Sequence, residues 1–235
     1  MLKNFKIRPP FFEVGPKAYL YGEDMLKLAK AIDKVAIKYD VDIIVTPQYT
    51  DIPLLAQNTE RILVFAQHMD PLPVGRGLGS VLPEAVKAAG AVGVMLNHAE
   101  KPLTMEEVEA TIKRADEVGL ATIVCADTVE DVKTIAKMGP NLIVAEPTDL
   151  IGTGQTSDSN YVIETIKTVE AINPDIMVLQ GAGISNGEDV YNTIKLGAQA
   201  TGSTSGIIKA EDPEAMVEEM ISALRRAWDE LHEGK

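Results

Sequence analysis

The chain has 235 residues, of which 46% are hydrophobic, and this is enough apolar material for a complete core. Its formal net charge of -13 argues against a nucleic-acid partner and against an anionic membrane surface, because both attract an excess of Lys and Arg. The single cysteine, Cys125, favours a reducing compartment and hence the cytoplasm, and no apolar stretch predicts a signal peptide or a membrane span.

The first half of the chain alternates short apolar runs with helical patterns. A basic N-terminal extension at residues 1–10 comes before the first of them. The predicted strands are Phe11–Val14, Asp42–Thr46, Ile62–Gln67 and Val92–Leu96. The predicted helices are Glu23–Lys38, a short one from Asp51 and one that begins near Pro83.

The second half repeats the alternation with clearer helix starts. Thr104 and Glu107 form a capping box, and Thr128 caps the following helix. The predicted strands are Ala121–Cys125, Leu142–Ala145, Met177–Gln180 and Ala198–Gly202. Further helices are predicted from Asn160, Gly187 and Pro213.

Strands that are apolar on both faces and alternate with helices predict a parallel sheet covered by helices. Eight such units predict a closed α/β barrel, the (β/α)8 TIM barrel. A doubly wound sheet is the alternative, but it would place a glycine-rich phosphate loop after the first strand, where this chain has only Gly15-Pro16. Because no linker or composition shift divides the chain, residues 1–235 are predicted to form a single domain.

In such a barrel the chemistry collects where the strands end, and the sixth strand delivers Glu146 to that edge. Pro147 fixes the backbone on one side, while Gly152 and Gly154 free it on the other. This pattern predicts a hinged flap that keeps water away from a carboxylate base.

Other strand ends supply a cation, a proton donor and two small-residue loops. Lys17 follows the first strand and His98 the fourth. The loops 181–183 and 202–205 can offer backbone N–H groups to a phosphate, which suits a chain without an arginine cluster. Together with Glu146, the set supplies a cation, a proton donor, a base and a phosphate cradle at one end of the barrel.

Four motifs in this order resemble the triosephosphate isomerase family, most closely its short archaeal-type branch. They are Phe65-Ala66-Gln67-His68, Asn97-His98-Ala99-Glu100, Ala145-Glu146-Pro147 with Leu150-Ile151-Gly152-Thr153-Gly154, and Gly181-Ala182-Gly183-Ile184-Ser185. The resemblance implies an aldose–ketose isomerase of glycolysis and gluconeogenesis that acts on a small phosphorylated sugar without a cofactor or a metal. It also implies a homo-oligomer, either a dimer or a tetramer.

The resemblance also implies roles for individual residues. Glu146 is the base that moves a proton between adjacent carbons, and His98 polarises the carbonyl group. Lys17 stabilises the enediolate and the phosphate, with Glu100 as its supporting ion-pair partner. The phosphate lies on backbone N–H groups of five residues, namely Ile151, Gly152, Gly183, Thr204 and Ser205.

The chain departs from the family pattern at three places. Gly15 stands where the family has an asparagine that donates to a substrate oxygen, Ala99 replaces a serine, and Leu78 replaces a threonine that supports the asparagine from the neighbouring subunit. Loss of the asparagine and its support, with retention of the other groups, indicates a remodelled carbonyl end with room for roughly one more carbon unit. A four-carbon sugar phosphate is therefore the alternative to a triose phosphate.

Two further alternatives remain open from the sequence. Lys3-Asn4-Phe5-Lys6 also resembles the family's Asn-x-Lys pattern, but Lys17 leaves nearly the family's spacing to the first helix and is preferred over Lys6. In function, a lysine at a strand end is also typical of a Schiff-base aldolase, and loss of the asparagine would fit a non-catalytic phosphate-binding barrel.

Overall fold

Eight parallel strands pair in sequence order and close into a barrel. The computed structural model describes residues 1–233. The strands are β1 (Phe11–Val14), β2 (Asp42–Val45), β3 (Leu63–Ala66), β4 (Gly93–Leu96), β5 (Ala121–Ala126), β6 (Leu142–Ala145), β7 (Met177–Gln180) and β8 (Ala200–Ser203). The barrel closes because β8 pairs with β1 as well as with β7, and the predicted (β/α)8 fold class is confirmed.

Helices connect the strands and pack around the outside of the barrel. They are α1 (Gly22–Tyr39), α2 (Ile52–Asn58), α3 (Pro83–Ala88), α4 (Met105–Val118), α5 (Val129–Met138), α6 (Ser159–Ile172), α7 (Gly187–Lys195), α8 (Ser205–Ile208) and α9 (Pro213–His232). Short 3-10 turns at Tyr49–Asp51 and Thr148–Leu150 precede α2 and follow β6. Within residues 1–233, no helix combines the length and the apolar character needed to cross a bilayer.

The strands are apolar on both faces because each face enters a different layer of the core. Phe11 and Phe65 belong to a cluster inside the barrel. Phe12 and Val64, their neighbours in sequence, belong to the larger cluster between the strands and the helices. Side chains on a strand alternate between its two faces, so an uninterrupted apolar run fills both layers at once.

Residues 1–10 pack against the N-terminal end of the barrel. The Phe5 ring meets the Phe65 ring edge-on, with centroids 5.8 Å apart. The Leu2 N–H donates to the side chain of Asn141, just before β6, at 3.2 Å. These contacts close the end of the barrel opposite to the strand ends that carry the predicted chemistry.

Most predicted boundaries agree with the structure to within one or two residues. Both capping boxes are present, and at Thr104 the side chain accepts from the Glu107 N–H at 3.2 Å. The last strand begins at Ala200 instead of Ala198, because pairing with β1 and β7 begins there. The sequence analysis did not predict α8, because four residues make about one turn and show no helical period.

Gly93 provides a test of packing inside the barrel. A Cβ atom at this position would lie 2.1 Å from the fully buried Phe65 ring, so Gly93→Ala forces the ring and its neighbours to move. We expect the free energy of unfolding, measured by urea denaturation, to fall by about 3 kcal/mol.

The control for this variant is Gly139→Ala, where the new methyl group meets no atom within 4 Å and only the left-handed backbone, φ +73°, opposes it. That variant should lose only about 1 kcal/mol. A loss at Gly93 no larger than the loss at Gly139 would contradict the packing described for β4.

Candidate active site

A cavity of about 520 Å³ opens where the strands end. Its lining includes every site residue that the sequence predicted. They are Gly15, Lys17, His98, Glu100, Glu146, Ile151, Gly152, Gly183, Thr204 and Ser205. Lys6 is exposed, precedes β1 and does not line the cavity, so the structure places Lys17 and not Lys6 with the other groups.

Glu146 follows β6 and points into the cavity. Its Oε1 accepts a hydrogen bond from the Ala182 N–H at 2.9 Å, and its Oε2 lies 3.9 Å from His98 Nε2. Burial raises the pKa of the Glu146 carboxyl, while the Ala182 N–H and the Lys17 ammonium partly oppose this shift. Gly181 is required beside it, since a Cβ there would lie 2.8 Å from the Glu146 Cβ.

Ala182 holds a left-handed backbone conformation, φ +69°, that a residue with a Cβ rarely adopts. This conformation accompanies the N–H···Oε1 bond that fixes the Glu146 carboxylate. Strain of this kind costs on the order of 1–3 kcal/mol and is typical of functional sites.

His98 is held as a neutral ring with a defined tautomer. Its Nδ1 accepts a hydrogen bond from the Glu100 N–H at 3.1 Å, so the proton of the neutral imidazole lies on Nε2, the atom nearest Glu146. Burial and the nearby Lys17 ammonium lower the pKa of His98. The preceding Asn97, at φ +57°, is anchored by its side chain to the Cys125 carbonyl at 3.0 Å.

Lys17 is held by its backbone as well as by its amine. It has a left-handed conformation, φ +50°, and its carbonyl accepts from Gln48 Nε2 at 2.7 Å and from Gln67 Nε2 at 2.9 Å. Its Nζ lies 2.6 Å from Glu100 Oε1. The ammonium of Lys17 lowers the pKa of the Glu100 carboxyl, and the pair is therefore an ion pair at neutral pH.

The segment after Glu146 has the two features predicted for a flap. Pro147 has φ -60°, and both Gly152 and Gly154 take left-handed conformations, φ +74° and +75°. The 3-10 turn at residues 148–150 between them was not predicted. The far end of the segment rests on the loop after β7, where a Cβ at Gly183 would lie 2.0 Å from the Gln155 carbonyl oxygen. Two glycines at this end and Pro147 at the other match a segment that moves as one piece.

The backbone N–H groups proposed for phosphate differ in their present partners. The Ile151 N–H donates to the Thr148 carbonyl at 3.2 Å, so it is engaged inside the flap. For Gly152 and Gly183 no acceptor is found within residues 1–233. Both of these glycines line the cavity and have left-handed backbones.

Glu13 lies in β1 and lines the cavity, although it is not among the site residues predicted from the sequence. It is only 8% exposed, and its Oε1 accepts from Thr46 Oγ1 at 2.9 Å. Burial raises the pKa of Glu13 to about 7. The sequence does contain a sign of this residue, namely one charged side chain inside the apolar run Phe-Phe-Glu-Val that predicts β1.

Cys125 at the end of β5 is buried beside these carboxyl groups. Burial, together with the charges of Glu146 and Glu13, raises the pKa of its thiol well above the ordinary value. A neutral thiol is a poor nucleophile, and Cys125 therefore serves as a packed residue in the wall of the cavity.

A closed parallel barrel with a carboxylate, an imidazole and an ammonium at the carboxyl ends of its strands has the architecture of a TIM-barrel enzyme. The family model of triosephosphate isomerase matches residues 14–221. The chain therefore belongs to the triosephosphate isomerase family, whose members are isomerases.

Two archaeal relatives show how far the similarity extends. Triosephosphate isomerase of Methanobacterium bryantii is 41% identical over 220 residues, which cover 92% of this chain and 97% of the relative. Triosephosphate isomerase of Saccharolobus solfataricus is 37% identical over 225 residues, which cover 94% and 99%. The predicted resemblance to the short archaeal-type branch is confirmed.

A solved structure supports the fold at lower identity. The crystal structure of triosephosphate isomerase from Bartonella henselae superimposes with a TM-score of 0.75 at 18% identity, covering 94% of this chain and all of that one. Because the identity is low, this similarity supports the barrel fold only.

The state of His98 is open to direct test. Lys17→Met removes the ammonium that lowers the pKa of His98 and frees the Glu100 carboxylate that raises it, so we expect the His98 pKa to rise. Two-bond 1H–15N spectra recorded between pH 5 and 8 report both the pKa and the tautomer.

The control is Lys30→Met, which removes an exposed lysine on α1 away from the cavity. It should leave the His98 titration unchanged. A His98 pKa that is insensitive to Lys17, or a neutral ring protonated on Nδ1, would contradict the geometry described here.

Proposed function

We propose that the protein interconverts dihydroxyacetone phosphate and glyceraldehyde 3-phosphate by proton transfer through an enediol. The observation that carries this proposal is the pairing of a buried carboxylate with a neutral imidazole, Glu146 Oε2 and His98 Nε2 being 3.9 Å apart at the mouth of the barrel. Every relative in the comparison that carries the family name also points to this substrate pair.

In this proposal Glu146 removes a proton from the carbon next to the carbonyl group and returns it to the former carbonyl carbon. Its carboxylate is made more basic by burial, and this brings its pKa closer to that of a general base at neutral pH. No atom is gained or lost by the substrate, so one base serves for both halves of the reaction.

His98 transfers protons at the substrate oxygens, while Glu146 transfers the proton between the carbons. The Nε2–H donates to the carbonyl oxygen and transfers its proton to that oxygen as it gains negative charge. The deprotonated Nε2 then takes the proton of the neighbouring hydroxyl group, and this restores the neutral ring. The depressed pKa supports this role, because a neutral imidazole is ready at the pH where the Glu146 carboxylate is ionised.

Lys17 and the small-residue loops complete the site. The Lys17 ammonium is the cation for the enediolate and the phosphate, and Glu100 keeps it in place through the 2.6 Å ion pair. The phosphate is assigned to the backbone N–H groups of the loops. These residues are Ile151, Gly152, Gly183, Thr204 and Ser205. Closure of the flap would break the present Ile151–Thr148 bond and turn that N–H toward the phosphate.

The proposal predicts the effect of Glu146→Gln. The amide keeps the shape but cannot accept the carbon proton, so we expect kcat for triose-phosphate isomerisation to fall by about 10³-fold or more. Exchange of the substrate carbon-bound proton with solvent, followed by NMR in heavy water, should fall with it.

The control is Glu170→Gln, which replaces an exposed glutamate on α6 and should keep full activity. Proton exchange that continues in Glu146→Gln would remove Glu146 as the base. Absence of isomerisation and exchange in the unaltered protein would favour the non-catalytic phosphate-binding barrel.

A four-carbon sugar phosphate is the second candidate substrate, and Gly15 is the observation that favours it. Gly15 lines the cavity without a side chain. The Glu13 carboxyl occupies part of the space at Gly15, since a Cβ there would lie 3.0 Å from Glu13 Oε1 and 3.2 Å from Thr204 Oγ1, so the extra room for a four-carbon chain is small. The Schiff-base alternative is disfavoured, because the Lys17 amine is engaged in its ion pair and is not free to attack a carbonyl carbon.

Gly15→Ala separates the two substrates. The added methyl group narrows the cavity beside Glu13 and Thr204, so kcat/KM for erythrulose phosphate should fall about 10-fold more than kcat/KM for dihydroxyacetone phosphate. Equal losses for both substrates, or a clear preference of the unaltered protein for the triose phosphate, would reject the four-carbon substrate.

We also propose that the protein works in the cytoplasm as a homo-oligomer. Val74 and Leu78 are exposed apolar residues in the glycine-rich loop after β3, and a second copy of the chain would cover them. The free, buried Cys125 suits a reducing compartment.

A further inference from the structure

Glu13 brings a carboxyl group into the cavity that the proposed mechanism does not use. It is 8% exposed, and one of its oxygens, Oε1, is engaged by Thr46 Oγ1 at 2.9 Å. The other oxygen, Oε2, forms no hydrogen bond with any residue in the described range 1–233, and it is not sealed from the cavity. A buried carboxyl with one free oxygen in a cavity is a group available to a bound molecule.

The surrounding residues leave room for this carboxyl group. Gly15, just after β1, has no side chain, and the Glu13 carboxyl occupies part of the space that this leaves. A Cβ at Gly15 would lie 3.0 Å from Oε1, and a Cβ at Gly202 on β8 would lie 3.0 Å from Oε2. Thr46, Gly15 and Gly202 together form a niche for one carboxyl group.

Three titratable groups face this niche, each from a different element. Lys17 follows β1, Glu146 follows β6, and the neutral Cys125 thiol lies in β5, whereas β8 contributes no titratable side chain. Burial is the main cause that raises the pKa of Glu13 to about 7, and the charge of Glu146 raises it further. The hydrogen bond from Thr46 and the charge of Lys17 lower it. Near neutral pH the carboxyl group is thus present both with and without its proton.

We propose that Glu13 contacts the substrate, its protonated carboxyl donating a hydrogen bond from Oε2 to an oxygen on the carbon chain of the sugar phosphate. Because Oε1 accepts from Thr46, the carboxyl proton resides on Oε2, the oxygen that is free toward the cavity. This inference rests on the proposed isomerase function and adds a recognition residue to the same site.

Loss of the proton reverses the effect of Glu13 on the reaction. The carboxylate would place a second negative charge beside Glu146, and it would repel the phosphate and the developing enediolate. Activity should therefore require Glu146 without its proton and Glu13 with its proton. We therefore expect kcat/KM to rise with pH as Glu146 ionises and to fall as the pH passes through about 7, where Glu13 ionises.

Two variants of Glu13 test this inference. Glu13→Gln keeps an oxygen for Thr46 and an N–H donor toward the cavity at every pH, whereas Glu13→Met has a similar volume and no donor. With both triose phosphates as substrates, kcat/KM for Glu13→Met should be about 10²-fold lower than for the unaltered protein at pH 6. Glu13→Gln should recover at least about a tenth of the activity and should lack the fall in kcat/KM above pH 7.

Carboxyl 13C spectra of the substrate-free protein provide a readout that is independent of activity. The resonance that is lost in both variants should titrate near pH 7. In the Glu146→Gln protein, the Glu13 carboxyl should keep its proton to higher pH with dihydroxyacetone phosphate bound than without it. Thermal melting shows whether each variant is folded. If Glu13→Met does not fold, the pH profile of Glu13→Gln decides.

The outcomes separate this inference from the function on which it rests. An unaltered protein without isomerase activity refutes the proposed function. An active protein in which both variants keep kcat/KM within about threefold and retain the fall above pH 7 refutes only the role of Glu13, which would then be structural. A Glu13 resonance that does not respond to the bound triose phosphate refutes it as well.

Discussion

Closure of the sheet depends on the pairing of β8 with β1, in which Phe11 lies beside Ala200 and Glu13 beside Gly202. The two strands approach so closely that a Cβ at Gly202 would lie 2.8 Å from the Glu13 carbonyl oxygen. The same pairing brings Thr204, just after β8, against Gly15, just after β1. The contact that completes the barrel therefore also builds one wall of the cavity, and a side chain at position 202 would disturb both.

The cavity holds three carboxyl groups in three different environments, and the direction of each pKa shift follows from the surroundings of that group. Glu100 has the Lys17 ammonium at 2.6 Å, and this lowers its pKa. Within residues 1–233, Glu146 has the Ala182 N–H as its one hydrogen-bond donor, and burial raises its pKa. Glu13 has a hydroxyl group as its only hydrogen-bond donor among the described residues, and burial raises its pKa to about 7. Carboxyl groups whose pKa values are pushed apart in this way are suited to different tasks at one pH.

The sequence was sufficient for the fold because an eightfold alternation of doubly apolar strands with helices leaves few architectures. It also predicted residues that line one cavity, because parallel strands collect their carboxyl ends at one edge and only a few polar residues follow those ends. It did not show how Lys17 is held, since the left-handed backbone at φ +50° and its two glutamine partners depend on tertiary contacts. The short helix α8 was not predicted, because four residues are too few to show a helical period in the sequence.

Glu13 was missed because strand and site were interpreted separately. A glutamate inside an apolar strand cannot be left without partners, since a buried carboxyl needs hydrogen bonds or a neighbouring charge. Gly15, two positions later, was noted only as a lost side chain. Considered together, the two positions describe one change: the chain lacks a side chain at Gly15, just after β1, and carries a carboxyl at Glu13 that lies beside the glycine. A polar group that is lost from one position of a strand should therefore be sought two residues away before its site is taken to be empty.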